Sequence, residues 1–286
     1  MPSLIDLRRR IRSVKNTQQV TKAMKMVSAA KLRRAQGRTI AARPYAAMFR
    51  QVLGDVATAV VDDEKLATHP LLARRPEEHV LLVLVTADGG LAGAFNSNLI
   101  KAAQQFLLEH EGAQIGLYTL GRKGRDFFRR RQARIVAERT GITQVASFAD
   151  AAAIAGEIRA RFEQSEADAV YLLFNEFKSV MSQKLTLQRV LPIEELPRAV
   201  GRDYIFEQPP EQILGSLLLR YMEMVLYQAL LESAAAYQAA RMTAMGAAST
   251  NAGEMIEQLT LHMNRVRQAS ITNELIEVVS GAGAQA

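Results

Sequence analysis

The sequence predicts an α/β protein with long helices: an antiparallel coiled coil of the N- and C-terminal helices plus a small central α/β (Rossmann-like) domain. Two observations support this fold class. The chain has no proline between Pro2 and Pro44 or after Pro210, so both ends can form long helices. The middle alternates short apolar runs with helical segments, which is typical of α/β domains. We expect an N-terminal helix at 1–55, the central domain at 76–195, and a C-terminal helix at 208–286 that pairs with the first.

The first helix has an apolar stripe on a basic background. Its apolar residues step by three and four, as in a coiled coil, through Leu4, Leu7, Ile11 and Val14 and more weakly through Val20, Met24 and Val27. Residues 1–50 hold 13 of the 36 Lys and Arg residues but a single acid, Asp6. A segment this basic usually meets nucleic acid, anionic lipid or an acidic protein surface, although a solvated helix face has the same composition.

The last helix is predicted from Glu211 to about Ser280, which would be roughly 105 Å of unbroken helix. No single globular core could surround such a helix, so it needs a partner, and the N-terminal helix is the other long one. Nine Ala at 229–248 would allow a partner helix to approach closely. Gly246 and Gly253 each weaken the helix by about 1 kcal/mol, so it could bend or break near 249–251.

The middle of the chain reads as strands alternating with helices. Apolar, β-branched-rich runs predict strands at 79–86, 114–120 and 169–175, an alternating segment predicts an edge strand at 184–192, and helical periods occupy 98–109, 121–131 and 149–162. This order implies a small sheet with parallel pairs.

Composition excludes several kinds of chemistry. The chain has no Cys, which rules out disulfides and thiolate sites, and its four His are scattered away from metal-ligand spacing. It has no run of eighteen uninterrupted apolar residues, so we predict no membrane-spanning helix. We also predict no catalytic residue, no cofactor and no metal.

Three local motifs have both a functional and a structural interpretation. The glycine-rich segment Thr86–Gly93 could present N–H groups to a phosphate, but it lacks the P-loop and dinucleotide-binding spacings, which favours a tight strand-to-helix turn. The basic cluster at 121–131 contains two adjacent Phe and is better explained as a solvated face than as a nucleic-acid site. The acidic groups at 62–64 and 194–195 are expected on surface loops.

The residues alone therefore leave three function classes open: a transmitting or scaffolding shaft, a basic coiled coil that binds nucleic acid, and a nucleotide-binding enzyme that uses the glycine turn. At about 100° per residue, the four arginines Arg8, Arg9, Arg10 and Arg12 cannot share one side of a helix. This spread of charge favours a protein partner over a DNA groove.

Both ends of the chain carry long family signatures. Residues 11–27, IRSVKNTQQVTKAMKMV, resemble the N-terminal signature of the gamma subunit of F-type ATP synthases, and residues 267–282, RQASITNELIEVVSGA, resemble its C-terminal signature. Ser182-Gln183 and Ala240-Arg241-Met242 also match family positions. The resemblance covers essentially the whole chain.

The resemblance implies a rotary shaft without an active site of its own. In that family the coiled coil turns inside a hexamer of alpha and beta subunits, and it couples proton (ion) translocation through the membrane ring to ATP synthesis or hydrolysis on beta. The implied partners are alpha, beta, epsilon and the c ring, with delta only within the whole complex and no nucleic acid. The implied location is peripheral, on the cytoplasmic face of a bacterial inner membrane, and no transit peptide is expected.

The resemblance also implies two sets of contact residues. Coupling contacts to alpha and beta are expected at Arg8, Arg9, Met24, Lys25, Arg241, Gln268, Thr272, Glu274 and Glu277, and contacts of the foot with epsilon and the c ring at Tyr204, Phe206 and Glu207. One segment departs from the family pattern, because Gly89 stands where the family has Arg and Ala92 where it has Cys. This departure argues against any role that the family gives to that Arg.

Overall fold

A computed structural model of the chain describes residues 3–59, 69–142, 146–193 and 207–283. These residues form two compact units. One unit, called here the coil end, comprises residues 3–28 and 242–283, and the other, the body, comprises the described residues between 29 and 241. The acidic groups at 62–64 and 194–195 lie outside the described residues.

Five α-helices and one short 3-10 helix occur in the described part of the chain. Helix α1 spans Leu4–Ala59, α2 Phe95–Glu109, α3 Arg122–Arg129, α4 Phe148–Glu163 and α5 Pro210–Gly283, with a 3-10 turn at Pro70–Leu72. A reciprocal cap starts α1, because the Ser3 hydroxyl accepts the Asp6 N–H at 3.2 Å while the Asp6 carboxylate accepts the Ser3 N–H at 3.3 Å. The helix then continues through Pro44.

The body contains a five-stranded sheet. Its strands are His79–Val85 (β1), Gln114–Leu120 (β2), Ile135–Arg139 (β3), Ala169–Phe177 (β4) and Gln183–Leu191 (β5), in the order β3-β2-β1-β4-β5. β1 pairs in parallel with β2 and β4, β2 pairs in parallel with β3, and β5 is antiparallel to β4. The strand order reverses at β1, so the carboxyl ends of β1 and β4 form the place where open α/β sheets usually bind ligands.

Both faces of this sheet are covered. The face that packs on α4 also contacts the long helices, through Leu53 of α1 and Leu218 of α5 among others. The opposite face packs on α2 and includes Tyr237 of α5 in its core. Residues 229–239 of α5 are all buried, and the small Ala side chains in this stretch allow neighbours to approach it from every side.

Within the coil end, α1 and α5 run antiparallel in a heptad register. Two pairs of positions face one another seven residues apart, Lys25 with Gly246 and Gln18 with Gly253, and a further seven residues along, Ile11 and Thr260 line the same cavity. Each step of seven residues forward on α1 matches a step of seven backward on α5, as in a two-stranded coiled coil. The predicted fold class is thereby confirmed.

The seam of α1 in the coil end, meaning the side that faces α5, is partly polar. Thr21 is 8% exposed there, whereas Val20 and Val27 are each 54% exposed. The sequence-based stripe through those two valines is therefore wrong. Steps of three and four from Val14 reach Gln18 and then Thr21, so the heptad register decides which side chains face α5, whatever their polarity.

Two further expectations need correction. Helix α5 is continuous through 249–251, so the expected break is absent. Strand β3 was not predicted, because its five residues include only three apolar ones and are mostly half-buried. A short edge strand of this kind gives a weak periodic pattern.

The long α5 helix also bears on the membrane prediction. Among the described residues, its segment Gln212–Ile276 contains a stretch long and apolar enough in composition to cross a membrane, although no uninterrupted apolar run exists. That stretch is 44% buried inside the protein, and core helices of soluble proteins meet the same criterion. Composition therefore does not by itself make α5 a membrane span.

Candidate functional site

The basic residues at the start of α1 line an open cavity in the coil end. Four cations, Arg8, Arg9, Arg12 and Lys15, border about 730 Å³ of space together with Thr260 and Met263 of α5. Arg10 is not among the lining residues, as the 100° step of a helix requires. The convergence of cations suits an anionic partner, and by itself it does not separate an acidic protein loop from a nucleic acid.

Met24 and Lys25 are neighbours on α1 with different surroundings. Met24 is half-buried in the coil end, whereas Lys25 is exposed. The outer carbons and Nζ of Lys25 lie 3.6–3.7 Å from the position that a Cβ on Gly246 would take. The glycine thus gives the lysine stem room to lie along α5.

Three predicted contacts near the end of α5, Gln268, Thr272 and Glu274, are exposed, and each takes part in a hydrogen bond within the helix. The Thr272 hydroxyl donates to the Gln268 carbonyl at 2.9 Å, and the Ser270 hydroxyl donates to the Glu274 carboxylate at 3.2 Å. Each pair is four residues apart, and the two pairs lie on different faces of the helix. Glu277 belongs to α5, but its side chain lies outside what the structure describes.

Arg241 belongs to the body and lies one helical turn after Tyr237. Its Nη1 donates to the Tyr237 hydroxyl at a long 3.5 Å. Its Nε is buried and has no hydrogen-bond partner among the described residues. A buried donor left without a partner costs about 1–3 kcal/mol, so the packing around this predicted coupling residue must offset that cost.

The predicted foot contacts are only partly described. Glu207 is exposed in the turn just before α5 begins at Pro210. Tyr204 and Phe206 lie outside the described residues. The foot assignment therefore stays a prediction.

The glycine-rich turn after β1 uses its polar groups inside the protein. The Asp88 carboxylate accepts the backbone N–H groups of Arg122 and Gly141, each at 3.0 Å. The Asn96 side chain accepts one backbone N–H of the turn at 3.0 Å and donates to a carbonyl of the turn at 3.1 Å. These bonds join three loops at one end of the sheet, which fits the interpretation as a strand-to-helix turn.

Tyr237 fills the crevice beside this turn. Its hydroxyl donates to the Gly90 carbonyl at 3.3 Å, and its ring meets Phe95 edge-on with centroids 5.6 Å apart. Ligands of open α/β sheets usually bind at this end of the sheet, and here a side chain of α5 packs against the turn instead. No motif or periodicity in the sequence marks Tyr237, and the glycine at the family's Arg position is the one signal that could have pointed to it.

The second basic cluster is a solvated face, as predicted. Phe128 is 1% exposed in the core, and the Arg131 guanidinium covers the Phe127 ring at 3.7 Å from its centroid. Arg129 pairs with Glu138 at 2.7 Å. The two aromatic rings are therefore not available for stacking on bases.

Known proteins match over the whole chain. The sequence model of a family described as ATP synthase matches residues 3–285. The ATP synthase gamma chain of Solibacter usitatus is 64% identical over 284 residues, which is 99% of each chain. The gamma chain of Desulfitobacterium hafniense is 48% identical over 99% of each chain.

Solved structures show the same fold. A chain in the central stalk and c-ring structure of the Tetrahymena thermophila mitochondrial ATP synthase has a TM-score of 0.64 and 29% identity, covering 80% of this chain and 99% of that one. A chain of the Euglena gracilis mitochondrial ATP synthase in rotational state 3 has a TM-score of 0.67, covering 99% and 94%. At 21% identity, that second likeness concerns the fold alone.

Two long helices that carry an α/β domain, together with the likeness to a chain of the Tetrahymena central stalk and c-ring structure, indicate a central-stalk type of subunit. By the family match and the identity to its relatives, the chain belongs to the ATP synthase gamma chain family. The predicted function, a rotor shaft that is not the catalytic subunit of its membrane-associated complex, is confirmed. The family match favours this function over both alternatives that the residues left open.

Proposed function

We propose that the coil end of this rotor shaft turns inside the hexamer of alpha and beta subunits of an F-type ATP synthase. The foot near Glu207 faces epsilon and the c ring, and delta meets the shaft only within the whole complex. The complex sits at the cytoplasmic face of a bacterial inner membrane. Ion translocation drives the rotation, at roughly 2.3 kcal/mol per charge and 100 mV, and ATP chemistry takes place on beta.

The apolar surface of the coil end is the observation that carries this proposal. Nine large apolar side chains there are at least half exposed: Ile5, Val20, Met26, Val27, Met255, Leu261, Ile271, Leu275 and Ile276. By contrast, Leu7 and Met245 are the only large apolar side chains buried among its described residues. An exposed apolar surface of this extent marks an interaction site, and a surrounding hexamer would cover it from several directions.

Asymmetry of the coil end gives the shaft its coupling role. A shaft can shift the conformations of three identical beta subunits only if it contacts each of them differently. Gln268 and Thr272 lie on one face of α5 and Glu274 on another, so beta subunits around the shaft meet different groups. Rotation then passes each contact from one beta subunit to the next.

The cations of the coil end steer assembly. Arg8, Arg9 and Lys25 are exposed, and exposed ion pairs contribute about 0–1 kcal/mol each, so single contacts are weak. Several together attract an acidic surface of the hexamer and fix its approach.

The coupling contacts are tested in the assembled, membrane-reconstituted enzyme. Gln268→Ala and Arg241→Ala should each lower ATP-driven proton pumping per ATP hydrolysed about two- to tenfold, the range that one hydrogen bond supplies. Gln258→Ala is the matched control, because Gln258 is also exposed on α5 in the coil end but is not a predicted contact. Pumping at the control level in both contact variants would refute this assignment.

The steering role is tested by assembly. A triple Arg8, Arg9 and Arg12→Gln variant should reduce the yield of complex with alpha and beta by about tenfold at low salt and by less at high salt. The control neutralises Lys101, Arg130 and Arg134, three exposed cations of the body. Equal yields for the two variants at both salt concentrations would remove the steering role.

The foot is tested by cross-linking. The chain has no Cys, so Glu207→Cys provides a single thiol at an exposed position. We expect it to capture epsilon or a c subunit in the intact complex. Capture of beta would show that the polarity assigned to the shaft is wrong.

A further inference from the structure

The turn after β1 and the long helix α5 fit together at one glycine. A Cβ added to Gly89 would lie under 3.0 Å from the Tyr237 hydroxyl, a distance that real Cβ atoms do not reach. A Cβ on the neighbouring Gly90 would meet only the Lys123 side chain, at an ordinary 3.7 Å. Neither glycine has a left-handed φ, so the requirement for glycine at 89 is one of space.

The same tyrosine connects the turn to a predicted coupling residue. Tyr237 is 5% exposed, and its hydroxyl donates to the Gly90 carbonyl at 3.3 Å while it accepts Nη1 of Arg241 at 3.5 Å. These contacts tie Arg241 to the end of β1. The guanidinium keeps this position although its Nε is buried without a partner in the described part of the chain.

We propose that Tyr237 is the positioning residue for Arg241 and that Gly89 provides the space that this tyrosine needs. The inference rests on the proposed function, in which Arg241 contacts alpha and beta. An Arg at position 89, as in the family pattern, and a Tyr at 237 cannot occupy the same crevice. The departure at Gly89 and the presence of Tyr237 are therefore one paired feature of this chain.

Removing only the hydroxyl separates the two parts of the proposal. The Tyr237 Cζ lies 3.5 Å from the position of a Cβ on Gly89, which is an ordinary contact. Tyr237→Phe therefore leaves room for Ala at 89, and its ring still packs edge-on against Phe95. The same variant loses the hydrogen bonds to Gly90 and Arg241.

The experiment uses the whole enzyme in vesicles and reads both assembly yield and proton pumping per ATP. Tyr237→Phe should assemble normally but pump about two- to tenfold less per ATP, the range of one lost hydrogen bond. Gly89→Ala should lower both readings, while the matched control Gly90→Ala changes neither. The double variant Gly89→Ala, Tyr237→Phe should regain the yield of Tyr237→Phe and keep its low pumping.

Each part can be overturned separately. Wild-type proton pumping per ATP by Tyr237→Phe would overturn the positioning role. So would a double variant Tyr237→Phe, Arg241→Ala that pumps less than Arg241→Ala alone. A Gly89→Ala enzyme that assembles like Gly90→Ala, or that Tyr237→Phe fails to rescue, would overturn the spatial pairing. Normal pumping by Arg241→Ala would refute the proposed contact of Arg241 with alpha and beta, and with it the positioning role of Tyr237. The assembly yields would still test the spatial pairing of Gly89 with Tyr237.

Discussion

The coil end and the body are built from the same two helices, yet the helices are stabilised differently in each. In the body, α5 is buried on all sides over residues 229–239, between α1 and the covered sheet. In the coil end, α5 has α1 as its neighbour, and side chains such as Leu261 and Leu275 are 60% exposed. The apolar residues of a helix thus outnumber those that its own chain can cover, and the surplus indicates where another subunit binds.

The largest expected effect tests this difference with one kind of substitution. Leu82→Ala in the body should lower the free energy of unfolding by about 2–5 kcal/mol, because Leu82 is 0% exposed and truncation leaves a cavity. Leu261→Ala in the coil end should change it by less than about 0.5 kcal/mol. Denaturant unfolding of the full-length chain measures both. The yield of complex with alpha and beta should fall for Leu261→Ala although this variant loses almost no free energy of unfolding. A normal yield for Leu261→Ala would contradict the difference between the two regions.

The sequence predicts the body better than it predicts the coil-end seam. Buried parallel strands such as β1 appear as continuous apolar runs because both of their faces are covered. The predicted seam was wrong at Val20 and Val27 because apolar character was the criterion for choosing its residues. A two-stranded coil tolerates polar side chains such as Gln18 and Thr21 at seam positions when the register requires them. Sequence alone thus located the helix pair and misplaced part of its interface.

The site shows a similar limit. The terminal signatures predict most of the coupling contacts, because each signature is long and continuous. The contact between Gly89 and Tyr237 joins positions 148 residues apart (237 minus 89), and no periodicity connects them. The sequence could only mark Gly89 as a departure, and the fold was needed to show which side chain takes the space.

The buried Tyr118 side chain gives a pH-dependent test of stability in the body. The Tyr118 hydroxyl donates to Glu157 at 2.6 Å, and burial together with this bond raises the pKa of Tyr118 to about 12 from 10.0. The folded state holds the proton longer than the unfolded one, so stability should fall as the pH rises from about 10 to 12. Tyr118→Phe should cost about 1 kcal/mol at pH 7 and remove that fall. The free energy of unfolding of the wild type and of Tyr118→Phe is measured at pH 7 and 11. An equal loss between these pH values in both proteins would contradict the assignment of the fall to Tyr118.

A carboxylate on the buried stretch of α5 should make the stability of the protein depend on pH. Burial raises the pKa of Glu232 above the ordinary value of 4.5, although the Phe177 N–H, which donates to its carboxylate at 3.1 Å, opposes the change. The folded state therefore binds more protons just above pH 4.5, and stability is lost as the pH rises through that window. Glu232→Gln should remove this loss, so its stability relative to the wild type should increase between pH 4 and 7.

Glu254→Gln is the matched control for that titration, because Glu254 is exposed on the same helix in the coil end. Loss of this solvent-exposed side chain should change the stability by less than about 0.5 kcal/mol. The contrast between buried and exposed parts of α5 fails if both variants give the same pH profile.

The smallest effect distinguishes two glycines of the coil end that lie one heptad apart on α5. Gly246→Ala should stabilise the full-length chain by about 0.5–1 kcal/mol, because Ala favours the helix and its Cβ would meet Lys25 at an ordinary 3.6 Å. Gly253→Ala gains the same propensity, but its Cβ would lie 3.0 Å from Nε2 of Gln18, which donates to the Ser249 carbonyl at 3.3 Å. Displacing that bond costs about 0.5–1.5 kcal/mol, so the net change should be close to zero or unfavourable.

In a Gln18→Ala background the obstacle is gone, and Gly253→Ala should then stabilise as much as Gly246→Ala does. Thermal unfolding of the four variants measures this difference, and equal stabilisation by both glycine substitutions while Gln18 is present would mean that Gln18 does not hold the seam at this level of the coil.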